Sequence, residues 1–192
     1  MIGNDIIDLK IAHHDAWRRK RYLDKIFHPA EQELIETSES PSICLWQLWS
    51  MKESAYKSHF RKRPLRRFNP VKMRCFVTGQ QTGIVRVEGC SYRTDSWVTS
   101  DFIHTTAVDS AKIKKQIQAG IVCSKDASLV RQQVIETLKR RISEYGKLPV
   151  ENLIFEKDGN CIPSLRDSGS SIGAKPCSIS HHGDYGAFAI LS

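Results

Sequence analysis

One stretch of the chain combines residue types that handle phosphates and metal ions. The sequence WSMKESAYK runs from Trp49 to Lys57 within a segment of helix-forming residues. Residues four apart on a helix differ by about 40° in azimuth, so Trp49, Glu53 and Lys57 share a face, with Lys52 at its edge. This pattern commonly makes only an exposed ion pair. The alternative is that Glu53 binds a hard cation while Lys57 and Lys52 hold phosphate oxygens.

Asp5 is the candidate for a second carboxylate on such a cation. Mg²⁺ takes one or two carboxylates and completes its coordination with water and substrate phosphates, so Glu53 needs a partner from elsewhere. The polar residues Gly3, Asn4 and Asp5 interrupt a strand pattern that is otherwise apolar. An Asp near a Gly in a strand either caps a turn or directs a carboxylate into a site that the backbone approaches closely. The spacing alone leaves both readings open.

A third group of polar residues lies near the C-terminus, in SISHHGDYGAFAI. Ser178, Ser180 and His181 stand in a strand context before a Gly-Asp turn. The strand-turn-helix elbow around a GxSxG serine is absent, which disfavours a hydrolase. His181 and His182 are adjacent, so in a strand they point to opposite faces, and at most one of them belongs to a site. A histidine that is merely hydrogen-bonded at a strand end is the alternative.

Basic residues are concentrated in two places, and the whole chain carries a net charge of +8. One cluster lies in the first predicted helix and the other in the connector RKRPLRR. Few acidic residues accompany either cluster, which favours an anionic target over a merely solvated face. The clusters are Lys10, Arg18, Arg19, Lys20, Arg21 and Lys25, and Arg61, Lys62, Arg63, Arg66 and Arg67.

The elements that would position these residues follow from hydrophobic periodicity. In the first part of the chain we expect a strand at 1–9, a helix from about residue 15, a helix beginning at Pro29, a third helix at 43–59 and strands within 71–108. In the second part we expect a helix-type segment in KIKKQIQAGIV, a helix in SLVRQQVIETLKRRISEYG capped by Gly146, a strand in NLIFEK and a final strand pair.

Length and composition describe a folded, globular chain. Its 192 residues, of which 40% are hydrophobic and 26% charged, fit one large domain or two small halves. The start resembles no targeting signal and no stretch reaches the roughly 18 apolar residues of a membrane span, so we expect a cytoplasmic protein. The six cysteines form no CxxC hook and are expected to be reduced thiols.

Taken in order, GND, WSMKESAYK and SISHHGDYGAFA resemble the signature set of the 4′-phosphopantetheinyl transferases, which is GxD, WxxKExxxK and SxSHxxxYA. The second motif is matched at every fixed position, by Trp49, Lys52, Glu53 and Lys57. The motif order is similar to that of the small trimeric holo-acyl-carrier-protein synthases, although those chains are much shorter. This chain looks like the two-half, surfactin-synthetase-activating type with its halves exchanged.

The resemblance implies an α+β fold of the phosphopantetheinyl transferase type, with two similar helix-over-antiparallel-sheet halves arranged as a pseudo-dimer. Residues 1–110 would form the half with the GxD and WxxKExxxK motifs, and residues 111–192 the half with SxSH. In outline each half runs from helix to strands and has a histidine in a β stretch, in FIHTTAV and in ISHHGDYGAFAI. This outline is compatible with a duplication.

The activity implied by the resemblance is Mg²⁺-dependent transfer of the phosphopantetheine arm of coenzyme A to a serine of an apo acyl or peptidyl carrier protein. By the family pattern Asp5 and Glu53 would hold Mg²⁺, and Glu53 or a water on the metal would take the serine proton. The residues implied in catalysis are Glu53, Lys57 and His181, and those implied in binding coenzyme A are Lys52, Lys57, Ser180 and His181.

Two features depart from the family pattern. Ile7 stands where larger members have a third carboxylate, with Asp8 on the next residue, so two protein carboxylates are expected on the metal. The usual GKP is also missing, because Gly159 and Pro163 are too far apart.

A carrier protein would dock an acidic helix on Arg18, Arg19 and Arg21. We expect a monomer, with a homotrimer as the alternative. Two other functions stay open, a basic nucleic-acid-binding protein and an inactive carrier-binding homologue. Whether the carrier serves fatty acids, polyketides or peptides is not indicated by the sequence.

Overall fold

The fold is α+β, as predicted, and consists of two five-stranded antiparallel sheets, each covered by one long helix. The computed structural model describes residues 1–12, 20–63, 68–112, 116–169 and 174–191. No helix within these ranges is long and apolar enough to cross a membrane.

The first sheet has the strand order β1-β5-β4-β3-β2, with all neighbours antiparallel. Its strands are β1 (Ile2–Asp8), β2 (Arg74–Val77), β3 (Thr82–Val87), β4 (Cys90–Val98) and β5 (Phe102–Asp109). The helices between β1 and β2 are α1 (Leu9–Ala12), α2 (Lys20–Ile26), α3 (Pro29–Thr37) and α4 (Pro41–Phe60). The long α4 packs on this sheet through Leu45, Leu48, Met51 and Ala55.

The second sheet has the order β6-β10-β9-β8-β7, which repeats the order of the first sheet strand for strand. Its strands are β6 (Ile117–Cys123), β7 (Leu153–Lys157), β8 (Pro163–Asp167), β9 (Lys175–His182) and β10 (Tyr185–Leu191), and α5 (Ala127–Gly146) lies between β6 and β7. Val130, Val134, Leu138 and Ile142 bury one face of α5, as their spacing predicts. The repeated order supports the two-half architecture, while the division between residues 110 and 111 stays a prediction.

Two local expectations are corrected by the structure. The segment KIKKQIQAGIV provides the strand β6 rather than a helix, because pairing with β10 overrides its helix-type pattern. Each half therefore begins with a strand. Gly146 ends α5 but does not cap it, since the left-handed residue is Lys147, with φ 51°. Each half does have a histidine on a strand, His104 on β5 and His181 on β9, although these are not corresponding strands of the two sheets.

The residue that sets the distance between α4 and β1 is Gly3. A Cβ placed there would lie 2.1 Å from the carbonyl oxygen of Ser54 and 2.7 Å from the backbone nitrogen of Ser58, both on α4. Alternate residues of a strand share a face, so Asp5 faces α4 together with Gly3. The missing side chain at Gly3 thus brings the carboxylate of Asp5 against the helix.

The opposite face of β1 joins the two halves. The backbone N–H of Asn4 donates to Ser178 Oγ over 3.0 Å, and its side-chain Nδ2 donates to Ser180 Oγ over 3.1 Å. Asn4 is fully buried. One strand therefore contributes to both the helix contact and the contact with β9.

We predict that Gly3→Ala destabilises the protein, because the added methyl group must push α4 away from β1. Overpacking of this kind typically costs about 1–3 kcal/mol of unfolding free energy, measurable by denaturant titration. Gly159→Ala is the matched control, since a Cβ at that glycine meets nothing within 4 Å. Equal stabilities of the two variants would contradict the assigned role of Gly3.

Candidate active site

Asp5, Glu53 and Lys57 form a cluster where β1 meets α4. The Lys57 ammonium donates to Asp5 Oδ1 and to the carbonyl oxygen of Asn4, each over 3.0 Å. Asp5 is only 7% exposed, and its Oδ2 is buried without a hydrogen-bond partner among the described residues. A buried carboxylate oxygen in this state favours an additional cation or donor beside it.

Glu53 is electrostatically strained by its surroundings. Burial, and after it the nearby charge of Asp5, raise the pKa of its carboxyl to about 7, while the positive charge of Lys57 opposes the rise. The carboxylates of Asp5 and Glu53 thus share a partly buried site with the ammonium of Lys57. A divalent cation would neutralise the excess negative charge there.

The residues present fit a hard divalent cation with two protein carboxylates. Asp5 offers its unpartnered Oδ2, and Glu53 is close enough for its pKa to be affected by Asp5. Asp8 does not add a third carboxylate, because its two oxygens accept from the backbone N–H groups of Lys10 and Asp184. Among the described residues, no group of three His, Cys, Asp or Glu side chains is arranged for a metal. Water and substrate oxygens would complete the coordination.

His104 is a buried neighbour of the cluster that the sequence did not assign to it. Its Nε2 lies 3.3 Å from Asn4 Nδ2. Burial, together with the positive charge of Lys57, lowers the pKa of His104 to about 4, so the ring is neutral near pH 7. Its only advance signal was a histidine within the apolar pattern of β5.

Lys52 does not take the predicted role in binding coenzyme A. Its side chain is fully buried, and its ammonium donates to the carbonyl oxygens of Ile26 and Pro70, each over 2.8 Å, and to Glu31 Oε2 over 2.7 Å. Three donors therefore meet three acceptors inside the protein. Lys52 instead ties α4 to α3 and to the chain preceding β2.

The residues of the SISHH stretch divide between the two faces of β9. Ser178, Ser180 and His182 face β1, where Asn4 and Asp8 bond to them. His181 is exposed and pairs with Gly186, which puts it on the face that carries α5. Ser180 is thus part of the contact between the halves, and the proposed role of His181 on a phosphate stays a prediction.

A cavity of about 210 Å³ opens beside Lys57, at the end of α4. The cations Lys57, Arg61 and Lys157 line it together with the β7–β8 turn and β9. Arg61 is fixed by the carbonyl oxygens of Pro163 and Cys177. From the sequence, Arg61 was identified only as a member of a basic cluster, because its contacts with β8 and β9 are not local in sequence.

A second cavity, of about 380 Å³, lies beside the preceding turns of α4. Its walls are mainly apolar and aromatic and include Trp46 and Trp49 of α4, Leu23 and Phe27, with His182 from the second half. Along α4, Trp49, Glu53 and Lys57 succeed one another by single turns. The carboxylate cluster therefore lies between an apolar and a basic cavity.

The predicted docking surface for a carrier protein is described only in part. Arg21 is exposed on α2, beside the wall of the apolar cavity formed by Tyr22 and Leu23. Arg18 and Arg19 lie outside the described residues.

We predict that Glu53 makes the metal-free protein less stable as the pH rises from 4.5 to about 7. The Glu53 carboxyl has a pKa near 4.5 in the unfolded chain and of about 7 in the folded protein, so the folded state binds the proton more tightly. As the pH rises through this range, the unfolded chain loses the proton more readily, and the free energy of unfolding decreases. In Glu53→Gln, measured by urea unfolding without divalent cations, this part of the decline should disappear.

Glu36→Gln on the exposed face of α3 serves as the control and should leave the pH profile unchanged. If the stability of Glu53→Gln declines between pH 4.5 and 7 as steeply as that of the parent, the carboxyl of Glu53 does not have a raised pKa in the folded protein.

Comparison with known protein families agrees with this geometry. The profile of the 4′-phosphopantetheinyl transferase superfamily matches residues 1–108, which include Asp5, Glu53 and Lys57 but not β9. No match is found among curated proteins. The matched region covers more than half of the 192 residues and contains two of the three motifs. The chain therefore belongs to the 4′-phosphopantetheinyl transferase superfamily.

Proposed function

We propose that this protein transfers the 4′-phosphopantetheine arm of coenzyme A to a serine of an apo acyl or peptidyl carrier protein, in a Mg²⁺-dependent reaction. The observation that carries the proposal is the cluster of Asp5, Glu53 and Lys57 between a basic and an apolar cavity. Charged residues serve the phosphates, and apolar walls serve the rest of the substrate.

Coenzyme A has an order of groups that matches this arrangement. A phosphorylated nucleotide and the pantetheine arm flank a central pyrophosphate. Trp49 and Lys57 are eight residues apart, which is about 12 Å along a helix, so the ligand would lie along α4. The nucleotide phosphates would take the cavity of Lys57, Arg61 and Lys157, and the pantetheine arm the cavity of Trp46 and Trp49.

The chemistry is phosphoryl transfer to a hydroxyl, in which positioning and charge neutralisation lower the barrier. Asp5 and Glu53 would hold Mg²⁺, which when bound neutralises charge on the pyrophosphate. The ammonium of Lys57, held by Asp5 and the Asn4 carbonyl, lies at the mouth of the basic cavity and donates to a phosphate oxygen. The family motif implies that His181 would supply a second contact to the pyrophosphate, although this exposed residue lies on the face of β9 that carries α5.

Glu53 is the group proposed to receive the proton of the attacking serine. Glu53 lies between the basic and the apolar cavity, where the serine would meet the pyrophosphate, and a carboxylate in this position can act as a general base. The serine Oγ forms a bond to the β-phosphorus while the bond from that phosphorus to the bridging oxygen breaks. The bridging oxygen leaves with 3′,5′-adenosine bisphosphate, and the serine proton stays on Glu53.

We predict that Asp5→Asn and Glu53→Gln each lower the transfer rate by at least about 100-fold, because each removes charge from the site without removing volume. The assay combines coenzyme A, Mg²⁺ and a panel of apo carrier proteins, with intact mass as the readout. Glu36→Gln is the control and keeps full activity. His181→Ala, which loses one phosphate contact, should lose about 10- to 1000-fold.

Full activity of Asp5→Asn or Glu53→Gln would refute the assignment of the carboxylates. If the parent protein binds carriers without changing their mass, the inactive carrier-binding homologue is favoured. Salt-sensitive retention on nucleic acid without any carrier binding would favour the nucleic-acid-binding alternative.

We also predict that the active site is complete within one chain. Asp5 and Glu53 come from the first half and His181 from the second, and Asn4 joins β1 to β9 of the same chain. An equimolar mixture of Asp5→Asn and His181→Ala should therefore show no more activity than the sum of the two variants. A rise above that sum after mixing would indicate a site shared between subunits, as in a homotrimer.

A further inference from the structure

The apolar cavity contains a polar group that neither the motifs nor the proposed mechanism uses. We infer that His182 is a specificity-determining residue, whose Nε2–H donates a hydrogen bond to a carbonyl oxygen of the pantetheine arm of coenzyme A. The inference rests on the proposed function, since it concerns the same substrate. It is based on where the imidazole ring of His182 lies, which ring nitrogen carries the proton and how the ring is held in place.

The position of His182 follows from the alternation along β9. His182 lies on the face towards β1 and lines the cavity of about 380 Å³, whereas the neighbouring His181 is on the other face. Most of the remaining lining is aliphatic or aromatic carbon, from residues such as Leu23, Phe27 and Trp49. A donor in such a wall fixes the orientation of a ligand, because a carbonyl buried there without a partner is costly.

The hydrogen bond to Asp8 determines which ring nitrogen carries the proton. The backbone N–H of Asp8 donates to His182 Nδ1 over 2.9 Å, so Nδ1 must present its lone pair. The neutral ring then carries its proton on Nε2. His182 is therefore a donor towards a ligand and not a base, which also separates its role from that proposed for Glu53.

The β9–β10 turn holds this ring in place through Asp8. Asp8 Oδ2 accepts from the backbone N–H of Asp184 over 3.0 Å, and Oδ1 accepts from that of Lys10 over 2.9 Å. Gly183 between His182 and Asp184 has φ +56°, and a Cβ there would lie 2.3 Å from Asp8 Oδ2. A left-handed glycine is thus required for the turn to close on Asp8.

The occupant follows from the chemistry of the cavity and its distance from the carboxylates. The pantetheine arm is a mostly apolar chain with two amide carbonyls, and it is covalently joined to the pyrophosphate that the Glu53 cluster would hold. A chain leaving Glu53 towards Trp49 enters this cavity after about one helical turn. The cavity therefore offers apolar surface and the His182 donor, as an amide-bearing chain requires.

The test compares two ligands that differ in the pantetheine arm and its phosphate, coenzyme A and 3′,5′-adenosine bisphosphate. Affinities are measured by calorimetry, with Mg²⁺ present, for the parent protein, His182→Phe and His182→Gln. We expect His182→Phe to weaken coenzyme A binding about 3- to 10-fold and to leave adenosine bisphosphate binding unchanged, since one neutral hydrogen bond is lost. The side-chain amide of His182→Gln supplies a replacement donor and should recover part of the loss.

Lys57→Ala is the contrasting variant, because its cation serves the phosphates and its loss should weaken both ligands. In steady-state assays His182→Phe should raise KM for coenzyme A more than it lowers kcat. Melting temperatures of all variants are measured first, and His182→Leu, which also lacks the donor, replaces His182→Phe if the latter is unfolded.

The inference is overturned if folded His182→Phe or His182→Leu binds coenzyme A as tightly as the parent, or if it loses affinity for both ligands equally. A parent protein that binds neither ligand would refute the proposed function instead. The two failures are therefore distinguishable.

Discussion

The close contact of α4 with β1 at Gly3 is the constraint on which the site depends. Without a side chain at this position, the helix backbone approaches the strand closely enough for Lys57 to reach both Asp5 and the Asn4 carbonyl. The same approach brings the charges of Asp5 and Glu53 together. Gly3 therefore lets α4 approach β1, and Asp5, two residues further along the same strand, places its carboxylate in the resulting contact.

The opposite face of β1 connects this site to the second half. Asn4 holds Lys57 through its carbonyl, while its N–H and side chain bond to Ser178 and Ser180. Four residues further along β1, Asp8 bonds to His182 at the end of β9 and to Asp184 in the β9–β10 turn. Buried networks of this kind fix relative positions because each lost partner leaves a polar group unsatisfied. The second half thereby gains a defined position beside the carboxylates.

Local patterns were sufficient to predict the long helices, most strands and the residues on the face of α4. Spacing alone put Glu53 and Lys57 together, since it depends only on helix geometry. It failed for Lys52, because the partners of its ammonium, Ile26, Glu31 and Pro70, are distant in sequence. Strand β6 was missed for a similar reason, as its pairing with β10 outweighs local propensity.

The functional groups that sequence reasoning overlooked all depend on contacts between distant elements. His104 became part of the site by facing Asn4 across the sheet, and Arg61 by reaching the carbonyl oxygens beside β9. No spacing rule relates residues that are about 100 positions apart. The signal for His104 was a polar residue inside an apolar strand, which identifies a position as unusual without naming its partner. The signal for Arg61 was its membership of a basic cluster.

The two-carboxylate site can be tested by the binding of Mn²⁺ in place of Mg²⁺, followed by electron paramagnetic resonance in the presence of coenzyme A. We expect one tightly held Mn²⁺ per chain, lost in both Asp5→Asn and Glu53→Gln and kept in Glu36→Gln. A tightly held Mn²⁺ that remains in either of the first two variants would contradict the two-carboxylate site.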